Sequence, residues 1–174
     1  MSKSLGNVIS PKQMVERYGT DSTRLLLISL GTFNEDMDVS WQRLDEIYTA
    51  SLVNGLGNLC SRVAKMAADE GMMITPPPPT LNQDYQKLMS EYQLTAAAEQ
   101  VLDQVTKADI YLSQKKPWKL SGKEKTQVLE EAITRISQIA FHLNPFMPET
   151  SEKITTHFQD KIQPIKPLFP RLES

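Results

Sequence analysis

The chain opens with a short polar segment whose side chains could contact a polyphosphate. Residues 1 to 7 read Met-Ser-Lys-Ser-Leu-Gly-Asn. Lys3 supplies a compact cation on a flexible stem, and Ser2 and Ser4 add hydroxyl donors. Gly6 lets the backbone approach a ligand closely or turn with positive φ. Taken alone, the segment is more typical of a disordered polar terminus, so its interpretation as a nucleotide-binding loop depends on the rest of the chain.

A second candidate site is a polar face of the longest predicted helix. Asn58 and Arg62 are four residues apart, which places both side chains on one side of a helix. Asparagine offers a donor and an acceptor, and arginine offers a planar fork that can also stack. Ser51, Asn54 and Gly55 continue the same face towards the N-terminus. The pair could address a planar partner, although spacing alone favours an ordinary solvated face.

A third candidate site is the connector between two predicted helices, which reads Lys115, Lys116, Pro117, Trp118 and Lys119. The proline restricts the backbone before the tryptophan, and three lysines flank the indole. This combination suits the stacking of an unpaired base, with cations neutralising the neighbouring phosphates. Lys123 and Lys125 extend the basic patch. The alternative is a tryptophan folded back as a lid on the core, which composition alone favours.

Four other residues have the right chemistry for a site but the wrong surroundings. His142 and His157 have no cysteine or carboxylate at metal-ligand spacing, so no metal site is predicted. His142 is interpreted as a core histidine at a helix end. Cys60 is predicted to be a buried, inert thiol. Trp41 sits at a predicted helix start beside an acidic connector and is expected to lack cationic neighbours, so it is predicted to pack rather than bind.

Composition limits the partners that the chain can have. At 174 residues it is long enough for one domain with a real core. A net charge of −2 gives no global signature of nucleic-acid binding, so RNA contact must come from a local patch. The single cysteine excludes an internal disulfide and is typical of a reducing cytoplasm. No leader and no membrane-spanning run are recognised, so we predict a cytoplasmic chain with no membrane partner.

The elements that must position these sites are helices. Capping boxes are predicted at Ser10 to Gln13 and at Ser121 to Glu124. The first predicted helix stops at Gly19. Thr20 and Asp21 are predicted to cap the second helix. The remaining helices are predicted from the periodicity of their apolar residues. The predicted helices after the first span residues 22–30, 40–71, 82–114, 121–144 and 149–158. Four prolines make 76–79 an extended linker, and no useful strand pattern occurs. We predict an all-α antiparallel helical bundle preceded by short helices.

In order and spacing, the motifs of the whole chain resemble the C-terminal part of methionyl-tRNA synthetases, which are class I aminoacyl-tRNA synthetases. The similar segments are residues 1–7, 17–24, 55–62, 116–120, 144–154 and 168–172. The resemblance implies the anticodon-binding bundle of that class, preceded by stem-contact-type helices. It divides the chain into a signature-loop (KMSKS) remnant with connecting helices at 1–39, the anticodon-binding bundle at 40–160, and an extended tail at 161–174.

The family resemblance also implies roles for individual residues. Met1, Ser2, Lys3 and Ser4 match the ATP-binding loop, in which Lys3 would contact the ATP phosphates during adenylate formation. Asn58, Arg62 and Trp118 match residues that meet anticodon bases, and Pro117 sets the pose of the tryptophan. Lys115, Lys116 and Lys119 would form a supporting basic patch. The one departure near this site is Asp109, which stands where asparagine is common and is predicted to weaken RNA binding.

The resemblance predicts that the chain is a fragment of a methionine-tRNA ligase, with an upstream Rossmann-type catalytic domain missing. The parent enzyme would use ATP with magnesium, whereas no cofactor is expected on the fragment, which should be catalytically inactive alone. The predicted partner is the anticodon stem-loop of tRNA(Met). Two alternatives are the same module from another class I synthetase, and a free-standing helical protein that binds RNA or protein.

Overall fold

A computed structural model describes residues 9–31 and 39–172, and helices dominate both ranges. The α-helices are α1 (Pro11–Tyr18), α2 (Thr20–Ser29), α3 (Trp41–Ile47), α4 (Asn58–Asp69), α5 (Gln83–Ser90), α6 (Leu94–Lys115), α7 (Gly122–Leu143) and α8 (Pro148–His157). A π-helix (Tyr48–Gly57) joins α3 to α4, and a 3-10 turn (Pro117–Lys119) follows α6. The described chain is therefore an all-α domain, as predicted. Met1, Ser2, Lys3 and Ser4 lie outside the described residues.

A small antiparallel ladder is the exception to the helical architecture. Strands β1 (Met73–Ile74) and β2 (Asp160–Lys161) pair Met73 with Lys161 and Ile74 with Asp160. Each strand has only two residues, which is too short to show an alternating pattern in the sequence. The ladder fastens the start of the tail to the chain just before the four-proline linker, which contains no helix or strand.

One hydrophobic cluster runs through the described chain. It includes Leu25 from α2, Leu129 from α7 and Phe169 from the tail, all of them buried. The longest helices, α6 and α7, pack against each other, and α7 also contacts α4 and α8. The short connection between α6 and α7 makes them antiparallel neighbours. Residues from all three predicted segments share this core, and the division at residues 39 and 160 stays a prediction.

The predicted continuous helix from 40 to 71 is interrupted by the π-helix. Ser40 caps α3 as expected, its hydroxyl accepting from the backbone N–H of Arg43 at 3.3 Å. Within the π-helix, a Cβ added to Gly57 would lie 3.0 Å from the Leu52 carbonyl oxygen, five residues earlier. The wider turns of a π-helix bond residues five apart, so the three- and four-residue steps predicted through Ser51 and Asn54 do not hold there.

The tail packs against the end of the π-helix. The Phe169 ring lies 3.1 Å from the position of a Cβ on Gly57, so a glycine is what allows this close approach. Phe169 meets the Tyr48 ring edge-on, with centroids 6.4 Å apart, and the Tyr48 hydroxyl donates to the Pro170 carbonyl at 2.9 Å. Both aromatic side chains are buried. The tail is thus part of the core and packs against the π-helix that leads into α4.

The predicted capping role of Thr20 and Asp21 is wrong. Gly19 occupies the N-cap position of α2, with φ +80. Asp21 is buried, and its carboxylate accepts from the backbone N–H of Thr150 at 2.7 Å, in the first turn of α8. A carboxylate there is favoured by the unpaired N–H groups and the positive end of the helix dipole. Asp21 therefore caps a helix far along the chain instead of its own.

The predicted single helix from 82 to 114 is two helices. Asn82 caps α5 as expected, accepting from the N–H of Tyr85 at 3.0 Å. Tyr92 then takes a left-handed conformation with φ +58, and the N–H of Gln93 donates to the Leu88 carbonyl at 2.9 Å. This is the hydrogen-bond pattern of a Schellman cap. The prediction missed it because glycine or asparagine is usual at that position and tyrosine is not.

The two predicted capping boxes have different outcomes. The box at Ser10 forms: the Ser10 hydroxyl accepts from the Gln13 N–H, and the Gln13 side chain accepts from the Ser10 N–H. The box at Ser121 does not form, since its side chain makes no capping hydrogen bond. Gly122, the first residue of α7, has φ +56. This left-handed conformation differs from the helical one that a capping box requires after the N-cap residue.

His142 is a buried histidine near the end of α7, as predicted. Its Nε2 accepts from the backbone N–H of Asn82 at 3.3 Å, and its Nδ1 lies 3.2 Å from Oε1 of Gln104. An imidazole that accepts at Nε2 carries its proton at Nδ1, which donates to Gln104. Tyr85 stacks beside the ring, 4.5 Å between centroids. Burial lowers the pKa of His142, so the folded chain holds the neutral ring.

Acidification is expected to destabilise the fold through His142. The unfolded histidine takes up a proton near its ordinary pKa of 6.5, whereas the folded ring does so only at lower pH. The unfolded state binds more protons below pH 6.5, so the free energy of unfolding falls there, by at most about 1.4 kcal/mol per pH unit. Urea unfolding between pH values of about 7.5 and 5.5 measures this slope. An equal slope in His142→Gln would contradict the assignment.

Candidate nucleic-acid interface

Arg62 and Trp118 meet at the surface of the bundle. The guanidinium carbon of Arg62, on α4, lies 5.6 Å from the centroid of the Trp118 ring in the 3-10 turn. A guanidinium at this distance is attracted to the face of an indole. Residue patterns alone presented the two residues as parts of separate sites, and only the family resemblance grouped them. The structure places them in contact, and this pair is called here the Arg62–Trp118 site.

The backbone ahead of Trp118 explains its exposed position. Lys116 has φ +48 and ψ 56, a left-handed conformation that ends α6. A proline disfavours the right-handed helical conformation in the residue before it, so Pro117 prevents α6 from continuing through Lys116. Pro117 itself is buried, whereas Trp118 keeps 50% of its surface exposed. The alternative that Trp118 folds back as a lid on the core is therefore wrong.

Asp109 on α6 is a further member of the site. Nη1 of Arg62 donates to Oδ1 of Asp109 at 2.6 Å, and both side chains are partly exposed. The carboxylate pairs with the arginine, whereas the sequence suggested only that it would repel RNA. The two residues are 47 positions apart on different helices, so no spacing rule could have linked them.

The remaining predicted site residues lie close to this pair along the chain, with one exception. Asn58 is the first residue of α4 and is exposed, one turn before Arg62. Lys115, Lys116 and Lys119 are exposed beside Trp118 in sequence. Lys125 is different: its ammonium lies 2.6 Å from the Glu70 carboxylate, and only 16% of its side chain is exposed. The predicted extension of the basic patch to Lys125 is therefore wrong.

Trp41 belongs to a second aromatic and charged cluster, which joins α1 to α3. Arg17 donates from Nε and Nη2 to the two oxygens of Asp45 at 2.9 and 2.8 Å, and the Tyr18 hydroxyl donates to Asp45 at 2.6 Å. Burial acts to raise the pKa of Asp45, but these hydrogen bonds outweigh it and lower the pKa. The guanidinium carbon of Arg17 lies 5.8 Å from the Trp41 ring centroid, so Trp41 does have a cationic neighbour, contrary to expectation. Its predicted packing is confirmed, since the partly buried ring lies against the core.

A third set of contacts fastens α2 to the loop before α8. Arg24 donates from Nε to the Phe146 carbonyl and from Nη2 to the Pro145 carbonyl, both at 2.9 Å. Together with the bond from Thr150 to Asp21, this explains why two charged residues lie in a short apolar helix. These contacts fasten α2 to the start of α8, so we assign both residues a structural role.

The described residues offer binding chemistry more readily than catalytic chemistry. Burial raises the pKa of the Cys60 thiol to about 12, which makes it inert as predicted. Within residues 9–31 and 39–172, no group of three or more histidine, cysteine or acidic side chains could hold a metal ion. No helix in those ranges is long and apolar enough to cross a membrane. The Arg62–Trp118 site instead combines an exposed aromatic face, a planar donor and an exposed amide.

Two sequence comparisons with known proteins identify the same kind of enzyme. The family model described as "tRNA synthetases class I (M)" matches residues 1–64, a range that contains both Asn58 and Arg62. Methionine--tRNA ligase from Thermotoga maritima is 31% identical over 185 aligned positions, covering 95% of this chain and 29% of that protein. The Synechocystis protein of the same name is 31% identical, covering 88% of this chain and 32% of its own length.

A solved structure shows the same fold. Mycobacterium tuberculosis methionyl-tRNA synthetase in complex with methionyl-adenylate superposes with a TM-score of 0.78 at 22% identity, covering 98% of this chain and 41% of that one. At this identity the likeness supports the fold alone. The chain spans about 30% of the length of each of these two ligases.

Proposed function

Because this chain belongs to the methionyl-tRNA synthetase family, we propose that its helical bundle recognises the anticodon loop of a methionine tRNA. Trp118 stacks with an unpaired anticodon base in this proposal. Arg62 and Asn58 hydrogen-bond to base edges, and Pro117 holds the tryptophan in its exposed position. Lys115, Lys116 and Lys119 neutralise the neighbouring phosphates.

The observation that carries the proposal is the contact between Arg62 and Trp118. Residues from two separate segments converge on one exposed surface, where a planar cation lies 5.6 Å from the centroid of a half-exposed indole. Sequence-specific RNA recognition uses this chemistry, since splayed bases stack on aromatic rings and arginine planes while their edges are read by hydrogen bonds. Phosphate neutralisation alone needs no aromatic residue.

Titration with RNA hairpins tests the proposal. A hairpin that carries the methionine anticodon is expected to bind more tightly than the same hairpin with a changed anticodon, by about tenfold per changed base. Both affinities should fall as salt rises, because lysine contacts release counterions. Equal affinity for the two hairpins at every salt concentration would contradict anticodon recognition and leave only a basic surface.

We also propose that the protein takes part in joining methionine to tRNA with ATP and magnesium. The relatives are named methionine--tRNA ligases, and this chain corresponds to about 30% of their length. Met1, Ser2, Lys3 and Ser4 form the proposed ATP-binding loop, in which Ser2 and Ser4 carry hydroxyl donors and the Lys3 ammonium would contact the ATP phosphates. A Rossmann-type domain would supply the methionine pocket. A cytoplasmic location belongs to the same proposal.

These 174 residues are expected to be inactive by themselves. One lysine and two serines can contact phosphates, but adenylate formation also requires methionine and ATP to be held in line. An ATP–pyrophosphate exchange assay with methionine measures this directly. Methionine-dependent exchange above background would overturn the expectation without affecting the proposed RNA site.

A further inference from the structure

We propose that Asp109 increases the specificity of the Arg62–Trp118 site, by holding Arg62 in position and offsetting its charge. Arg62 then reads a base edge and is a poor ligand for phosphate. This inference rests on the proposed recognition of an anticodon loop and assigns a role to a residue outside the predicted site.

The geometry fixes where Arg62 can reach. One N–H of the guanidinium donates to Asp109 at 2.6 Å, while the guanidinium carbon lies 5.6 Å from the indole centroid. Two contacts, one from α6 and one from the 3-10 turn after it, hold the planar guanidinium in one orientation. A guanidinium has five N–H donors, so several stay available for a ligand after one is used by the carboxylate.

The charge of Asp109 affects whether Arg62 prefers a base edge or a backbone phosphate. A free guanidinium binds phosphate of any sequence, and such contacts raise affinity without discriminating between RNAs. The Arg62–Asp109 pair has no net charge, so it attracts a phosphate less than a free guanidinium would, while the remaining N–H groups of Arg62 still donate to a base. Lys115, Lys116 and Lys119 are exposed beside the site and already supply charge for the backbone. The ion pair thus leaves Arg62 to hydrogen-bond to a base, while the lysines bind the phosphates.

The exposure of Asp109 makes this role possible. Its side chain is 46% exposed, against 32% for Arg62, so the carboxylate lies at the surface where RNA would approach. It repels any phosphate that comes near Arg62, whichever RNA carries it. A base that stacks on Trp118 and accepts from Arg62 offsets that repulsion, whereas a backbone phosphate cannot.

The experiment compares two variants with the same change in charge. Asp109→Asn removes the charge beside Arg62 and keeps an oxygen that can accept its hydrogen bond. Asp103→Asn is the control on the same helix, since Asp103 pairs with Lys107 at 2.6 Å instead. Binding of the methionine-anticodon hairpin and of a changed hairpin is measured over a range of salt for both variants and for the unmutated chain.

Asp109→Asn is expected to lower the ratio of the affinities for the two hairpins by about threefold. The reason is that the hairpin with the changed anticodon gains a phosphate contact at Arg62. The plot of log affinity against log salt should steepen by about 0.7, the value of one added contact on a single strand. Asp103→Asn should leave discrimination unchanged. Thermal unfolding of both variants checks that each is folded.

Each remaining outcome has a defined meaning. If Asp109→Asn and Asp103→Asn give the same discrimination and the same salt slope, Asp109 has no special role and the inference is overturned. The unmutated chain would still prefer the methionine anticodon in that case, so the proposed function would stand. If the unmutated chain shows no preference, the proposed function fails, and the role of Asp109 fails with it.

Discussion

Replacing Trp118 with alanine is expected to weaken binding of the methionine-anticodon hairpin by about 5- to 150-fold, equivalent to about 1 to 3 kcal/mol for one stacked base. Half of the indole is exposed in the free chain, so the ring is available to a base without first leaving the core. The same substitution removes the surface beneath Arg62. Fluorescence anisotropy with a labelled hairpin measures the loss.

Two controls separate stacking from general damage. Trp118→Phe keeps an aromatic face and should recover part of the lost affinity. Tyr92→Ala removes another aromatic side chain, 84% exposed in the turn between α5 and α6, and should leave the affinity unchanged. Equal affinity of Trp118→Ala and the unmutated chain would refute the stacking role.

Replacing Phe169 with alanine is expected to lower the free energy of unfolding by about 3 to 5 kcal/mol, the usual cost of truncating a buried phenylalanine. Only 5% of its surface is exposed, and the ring packs on Gly57 and edge-on against Tyr48. The cavity would open beside the π-helix, which ends immediately before Asn58 and the α4 helix that carries Arg62. Urea unfolding measures the change.

Phe141→Ala is the matched control for Phe169. It makes the same chemical change at a ring that is 41% exposed, so less apolar surface is lost from the core. Its expected cost is well under that of Phe169→Ala. If both substitutions cost the same, or if Phe169→Ala costs under about 1 kcal/mol, the tail does not support the π-helix as described.

Local signals explain the parts of the fold that were predicted correctly. The capping box at Ser10, the cap at Asn82 and the helix that begins at Pro148 depend on side chains three or fewer residues from the backbone groups they affect. Apolar periodicity likewise reports on one helix at a time. The turn at Tyr92 was missed because its residue type is unusual in a left-handed conformation.

For the candidate site too, the sequence identified the residues but not the contacts between them. The sequence alone identified Asn58, Arg62, Pro117 and Trp118 by residue type, spacing and resemblance, and their contact with RNA stays a prediction. It could not show that Arg62 lies beside Trp118 or pairs with Asp109, since those contacts join separate helices.

The sequence by itself therefore determined the helical class, most helix positions, the family resemblance and the candidate residues. Tertiary structure decided the π-helix, the cap that Asp21 provides to α8, and the neighbours of Arg62. The physical reason is that helix formation is governed by interactions over a few residues, whereas these features depend on packing between distant segments. The Phe169 ring against Gly57 is such a contact, and no local pattern reports it.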